Sequence, residues 1–224
     1  EHAALAIDIV VDVYRLDSES IIDIEKHIDK NTVVIIPGGF GQRGIEGKIN
    51  VIRYCRKNNV SILGICFGFQ LMVIELFRVF NSTATSEEFY EYGDDNSVLE
   101  IVTKIQPEKE KEGITKNMGG TMRLGEHECN LDENSLSYKL YKNSVIKERY
   151  RHRYEVNILD VEELGYNIKS LGIKFTGKSK NGCEIIEKTN HPFYIGCQFH
   201  PEFSSKLETP HPLFVGLLNS VKKD

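Results

Sequence analysis

"SILGICFGFQ", Ser61 to Gln70, is the stretch on which the fold turns. It opens on a short apolar run and places one cysteine between two glycines. It continues into "FGFQLMVIELFRVF" (67–80), which is apolar nearly all round. A short buried strand feeding directly into a buried helix is the signature of an α/β sheet. Gly64-Ile65-Cys66-Phe67-Gly68 has the form G-x-C-x-G, the thiol counterpart of the G-x-S-x-G elbow. The sharp turn needs glycine on both flanks, and it lifts the nucleophile to the top of the sheet. The N–H of Phe67 then faces the place where an oxyanion forms, and the helix N-terminus favours the ionised sulfur. A structural cysteine buried in the core is the competing reading of Cys66.

Working outward, "TVVIIPGG" (32–39) predicts a buried parallel strand, and "EGKINVIRYCRKNN" (46–59) an amphipathic helix with a basic end. "VVDVYRL" (10–16) reads as a strand and "SESIIDIEKHID" (18–29) as a helix. Residues 81–117 are polar and Lys/Glu-rich and read as loops. "GGTMRLGEHECNL" (119–131) and "ERYRHRYEVN" (148–157) read as strands. "IKSLGIKFTGK" and "CEIIEKTN" flank Asn181-Gly182 as a hairpin, "FYIGCQFHPEF" is a strand ending in a loop, and "HPLFVGLLNSVKK" is a last helix opened by Pro212. The expected fold class is α/β, with a mostly parallel central sheet flanked by helices and added β-hairpin elements, as one unit over residues 1–224.

Apolar residues make up 40% of the 224, enough for a core, and 28 basic against 33 acidic residues give a net charge of −5. That balance argues against general nucleic-acid binding. No run is long and apolar enough for a membrane span, and "EHAALAIDIV" does not read as a signal peptide. The cysteines (55, 66, 129, 183, 197) are odd in number and form no C-x-x-C, so a reducing, cytoplasmic setting is expected. "GIKFTGKS" (172–179) satisfies the phosphate-loop pattern, but its filling is strand-like and a second strand follows. "GFGQRG" (39–44) satisfies G-x-G-x-x-G without an acidic residue about 20 positions on. Neither is taken as a nucleotide site.

A thiolate nucleophile needs a base. Of the seven histidines, His200 alone ends a strong buried strand and has a carboxylate two positions on, in "QFHPEF". Cys66, His200 and Glu202 are therefore the expected nucleophile, base and orienting carboxylate.

"IIPGGFGQRG", "LGICFGFQ" and "QFHPEFSS" together resemble class I, triad-type glutamine amidotransferases. "GGTMRLGEHE" and "RHRYEVN" narrow the resemblance to the glutaminase domains of CTP synthases and speak against those serving GMP or anthranilate synthesis. The resemblance implies hydrolysis of L-glutamine through a Cys66 thioester. The ammonia would serve ATP-dependent amination of UTP to CTP on a synthetase domain of the same polypeptide. It implies substrate contacts from Gly39, Phe67, Gln70, Arg153 and Glu88, with Glu87 the one-residue alternative, and oxyanion contacts from the N–H groups of Gly39 and Phe67. It implies GTP as an allosteric activator, with Arg123 and, less directly, Arg43 as effector contacts. It implies no cofactor or metal in this domain, ATP and Mg belonging to the synthetase domain, and a homo-oligomer at full length. The chain departs from the family in carrying Phe67 where Leu is usual. It also starts inside the helix that the family's first strand precedes. A catalytically inactive assembly module is the alternative of another class, and the complete Cys-His-Glu set argues against it.

Overall fold

The computed structural model describes residues 1–21, 23–86, 99–105, 114–117, 120–156 and 168–222. Its organising feature is a row of three adjacent parallel strands: β1 (Val34–Ile36), β2 (Ile62–Ile65) and β11 (Tyr194–Cys197). β2 lies in the middle and all four of its residues are buried. Ile62 packs into one apolar cluster, and Leu63 and Ile65 into another on the opposite face. That alternation is what a strand covered on both sides requires. One face is covered by α2 (Ile45–Asn58) and α3 (Phe67–Phe77), the other by α4 (Leu136–Tyr141) and α5 (Pro212–Asn219). A short α1 (His2–Ala6) buries Ala3 and Ala4.

Helix α3 is buried along its whole length, including Glu75. Arg56 of α2 neutralises that carboxylate through two hydrogen bonds of 2.7 Å, the paired geometry a buried acid needs.

Beyond β11 the sheet turns antiparallel. β10 (Gly182–Lys188) pairs with β11, β9 (Ile173–Ser179) with β10, β6 (Gly120–Leu131) with β9, and β5 (Ile114–Asn117) and β7 (Val145–His152) with β6. Among the described residues the parallel pairings of this eight-stranded sheet are thus confined to β1, β2 and β11, fewer than the expected mostly parallel sheet. The hairpin elements, foreseen as additions, make up its larger part. The 172–179 segment is one arm of the β9–β10 hairpin, as its strand-like filling suggested.

Residues 81–117 hold three strands where the sequence reading placed loops. β3 (Ala84–Ser86) and β4 (Leu99–Lys104) pair in parallel, and β8 (Tyr154–Val156) completes a second, three-stranded sheet. Ala84, Ile101, Val102 and Ile105 are buried, so a few apolar positions inside a charged stretch anchor these strands.

Residues 10–16 form no strand, and Val10, Val13 and Tyr14 are exposed. β propensity expresses fit to a pleated neighbour, and among the described residues no strand pairs with this segment. Nor do the described residues of 18–29 form an α-helix: among them a single 3₁₀ turn covers Ile24–Lys26. The acids at the two ends take backbone hydrogen bonds instead. Asp17 Oδ1 accepts from the Glu19 N–H at 3.0 Å, and Asp29 Oδ1 from the Asn31 N–H at 2.9 Å, which competes with helix formation.

Candidate active site

The carboxyl ends of β1, β2 and β11 lie side by side, and each is followed by a loop that brings one component. Gly38 and Gly39 follow β1, Cys66 follows β2, and His200 comes three residues after β11. Cys66 has φ +51° and ψ −102°, outside the regions that side-chain-bearing residues ordinarily occupy. Such a conformation costs about 1–3 kcal/mol and persists only where its surroundings impose it. Here the Cys66 N–H donates to Cys197 O at 2.7 Å and the Gln70 N–H to Cys66 O at 3.1 Å. The flanking glycines permit close packing. A Cβ on Gly68 would lie 2.1 Å from Ile36 O, and one on Gly64 2.3 Å from Met72 Sδ.

The imidazole of His200 is held from both sides. Its Nδ1 lies 2.6 Å from Glu202 Oε1, and its ring stacks on Phe203 with centroids 4.5 Å apart and planes 7° from parallel. The His200 N–H donates to Arg149 O of β7 at 2.8 Å. Gly38 shows how close base and nucleophile come. A Cβ there would be 3.0 Å from His200 Cε1 and 3.7 Å from Cys66 Cβ. With Nδ1 taken by the carboxylate, Nε2 is the nitrogen left for the sulfur. Burial alone would lower the His200 pKa, but the neighbouring Cys66 sulfur and Glu202 carboxylate outweigh it and push the value up to about 10.

Because that value lies above the ordinary 6.5, the interaction contributes stability in full below pH 6.5 and loses it as pH rises through about 10. Cys66→Ala removes one of the two supporting partners. We expect the imidazole titration, followed by NMR, to move by about half a unit or more toward the ordinary range. An unmoved midpoint would show that the sulfur does not touch the ring.

The other expected residues divide into three groups. Gly39 and Phe67 adjoin each other: a Cβ on Gly39 would meet Phe67 Cδ1 at 3.5 Å. The Phe67 ring is buried, with Lys48 Nζ 5.1 Å from its centre. Gln70 is buried on the same helix, and its Nε2 donates to Tyr154 O at 2.8 Å. Arg153 lies at the break between β7 and β8, and its carbonyl accepts from the Ile105 N–H at 2.9 Å. Glu88 and its alternative Glu87 lie outside the described residues.

The two arginines named for an effector lie elsewhere. Arg123 is 1% exposed, pairs with Glu184 at 2.5 Å and has its guanidinium 3.8 Å from the centre of the Tyr150 ring. Charge and flat face are thus both committed inside the protein, and this arrangement presents neither to a ligand. Arg43 is largely exposed and pairs with Glu19 at 2.6 Å. Burial pushes the Cys55 thiol up to about 12 and raises those of Cys129, Cys183 and Cys197, so none of the four is disposed to ionise.

Sequence reasoning missed Gln198, whose Nε2 lies 3.7 Å from Cys66 Sγ, and the backbone of β7, whose Arg151 O lies 3.9 Å from the same sulfur. The signal for Gln198 was present: it is a polar residue inside the buried run "FYIGCQF". Backbone carbonyls carry no such signal.

The profile of the family described as "Glutamine amidotransferase class-I" matches residues 1–220. The CTP synthase of Pelagibacter ubique (strain HTCC1062) is 40% identical over 228 residues, covering 99% of this chain and 41% of that protein. That of Fibrobacter succinogenes (strain ATCC 19169 / S85) is 41% identical over 224 residues, covering 98% and 38%. This chain therefore spans about two fifths of the length of these curated relatives. Among solved structures, the glutaminase domain of Trypanosoma brucei CTPS with bound acivicin superposes with a TM-score of 0.81 at 30% identity, covering 100% of this chain and 85% of that one.

Proposed function

The chain belongs to the class I glutamine amidotransferases, in the group of CTP synthase glutaminase domains, and on that premise we propose that it hydrolyses L-glutamine through a thioester on Cys66. One observation carries the reading. A cysteine on a strained strand–helix turn shares the carboxyl edge of the parallel strands with a histidine whose other nitrogen is held by a carboxylate.

In this proposal the sulfur of Cys66 attacks the side-chain amide carbon of glutamine. Charge develops on the amide oxygen beside the backbone of Gly39 and Phe67, where each N–H donor would be worth about 10²–10³ in rate. His200 gives a proton to the departing nitrogen, ammonia leaves, and the γ-glutamyl thioester remains on Cys66. His200 then takes a proton from water, which attacks the thioester and releases glutamate and the restored thiol. Glu202 orients the ring and stabilises the imidazolium throughout. Gln70, Arg153 and Glu88 are the proposed holders of the substrate's polar groups. An arginine suits the carboxylate because it can form two parallel hydrogen bonds.

The ammonia is proposed to serve ATP-dependent amination of UTP on a synthetase domain. The relatives support this: both are CTP synthases more than twice as long as this chain. A glutamine-like diazo ketone tests the glutaminase reading directly. We expect it to label Cys66 stoichiometrically, to stop ammonia release, and to react more slowly when excess glutamine is present beforehand. Ammonia release that continues in the labelled protein would overturn the assignment of the nucleophile.

A further inference from the structure

Two buried amides form a relay that ends on the catalytic sulfur, and its polarity is set from one end. Tyr154 O is a backbone carbonyl and only accepts, so the Gln70 atom 2.8 Å from it is the nitrogen. That same nitrogen lies 3.1 Å from a terminal atom of Gln198, which must then be the oxygen. The remaining terminal atom of Gln198, its Nε2, is left facing Cys66 Sγ at 3.7 Å. The amide orientation therefore follows from a chain of donors and acceptors that begins at an atom with no choice. Gln198 is 1% exposed and Gln70 4%, so water does not compete for these contacts.

The neutral thiol has a different partner, since its S–H donates toward Arg151 O at 3.9 Å. Once ionised, the sulfur has no proton to give and is served by donors only. The Gln198 amide faces it at 3.7 Å, and the buried Nε2 of His200 has no other partner among the described residues. A hydrogen bond to an ionised acceptor is about twice as strong as one between neutral groups.

We propose that Gln198 is a catalytic donor that holds the ionised sulfur of Cys66 for attack, and that Gln70 is a positioning residue that orients the Gln198 amide. The inference rests on the glutaminase reading only in taking Cys66 as the nucleophile. It gives Gln70 a role besides any contact with substrate. It also ties the sulfur to Tyr154 in β8, one residue from Arg153, so the three-stranded sheet also sets the amide at the nucleophile.

The test is alkylation of Cys66 by iodoacetamide in the intact protein, followed by mass spectrometry across a pH series without glutamine. Gln198→Leu removes the donor. We expect the alkylation rate at neutral pH to fall about tenfold and the pH profile to move up by about one unit, with rates converging at high pH. Gln198→Glu keeps the shape and puts an acceptor near the sulfur. It should move the profile at least as far, and it decides the matter if the leucine variant does not fold. Gln70→Leu should shift the profile in the same direction by less. A Gln198→Glu profile superposed on the wild type, or rates lowered equally at every pH, would overturn the proposal. Ammonia release by the wild type is measured separately, so failure of the glutaminase reading is distinguishable from failure of the relay.

Discussion

Replacing Cys66 with alanine is expected to lower glutamine hydrolysis by about 10⁴-fold or more while leaving the melting temperature nearly unchanged. The two parts have separate causes. The sulfur is the only atom proposed to form the bond to the amide carbon, and Cys197, at the carboxyl end of β11, is fully buried with its thiol pushed up. Cys55, Cys129, Cys183 and Cys197 are buried in the packed core with raised thiols, and so cannot substitute. The fold has little reason to suffer, because alanine fits the space and keeps both backbone hydrogen bonds of residue 66, to Cys197 O and from the Gln70 N–H, while the sulfur's own contacts with Gln198 and Arg151 are long, at 3.7 and 3.9 Å. Under the proposed coupling to a synthetase domain, the same variant at full length should still aminate UTP when ammonia is supplied directly, since only the source of ammonia is removed. Retained hydrolysis in protein freed of contaminating glutaminases would overturn the assignment. Loss of both ammonia-dependent and glutamine-dependent CTP formation would show damage beyond the glutaminase site.

Gly68→Ala should be among the most destabilising single-methyl changes in the chain. The added carbon would sit 2.1 Å from Ile36 O and 2.8 Å from Ile36 C, both backbone atoms of β1 that no rotamer change can move. Relief requires α3 to withdraw from β1. We expect a loss of about 3 kcal/mol, read as a fall of about 6–12 °C in melting temperature for a chain of this size. Activity should fall further than stability alone predicts, because β1 leads directly into Gly38, which lies against both Cys66 and His200. A melting temperature within a degree or two of the wild type would show that the elbow and β1 do not bear on each other in solution.

Some residues were legible because their chemistry is local. The G-x-C-x-G turn needs no partner to be recognised: its two glycines answer to clashes with Ile36, Met72 and neighbouring backbone that a strand–turn–helix imposes wherever it occurs. His200 and Glu202 were legible for a similar reason, since two residues of separation and an intervening proline suffice to place a carboxylate against a ring nitrogen. Arg123 shows the opposite case. Its neighbours in sequence resemble an effector segment, yet what decides its fate is Glu184, sixty-one positions away on β10. The strand at 10–16 failed for want of a partner rather than of propensity, and β3 and β4 appeared because they found one in each other and in β8.

The amino-acid sequence by itself determined the α/β class, the glycine-flanked turn at Cys66 and the placement of Glu202 against the His200 ring, since each of the last two is written in residues within a few positions of one another. Tertiary structure alone decided that Arg149 and Arg151 carbonyls face the histidine and the cysteine, that Gln198 meets the sulfur, and that most of the sheet runs antiparallel. The physical reason is range. Sterics and local hydrogen bonds act within a turn of chain, whereas strand partnership and buried polar contacts depend on which distant segment offers the complementary edge.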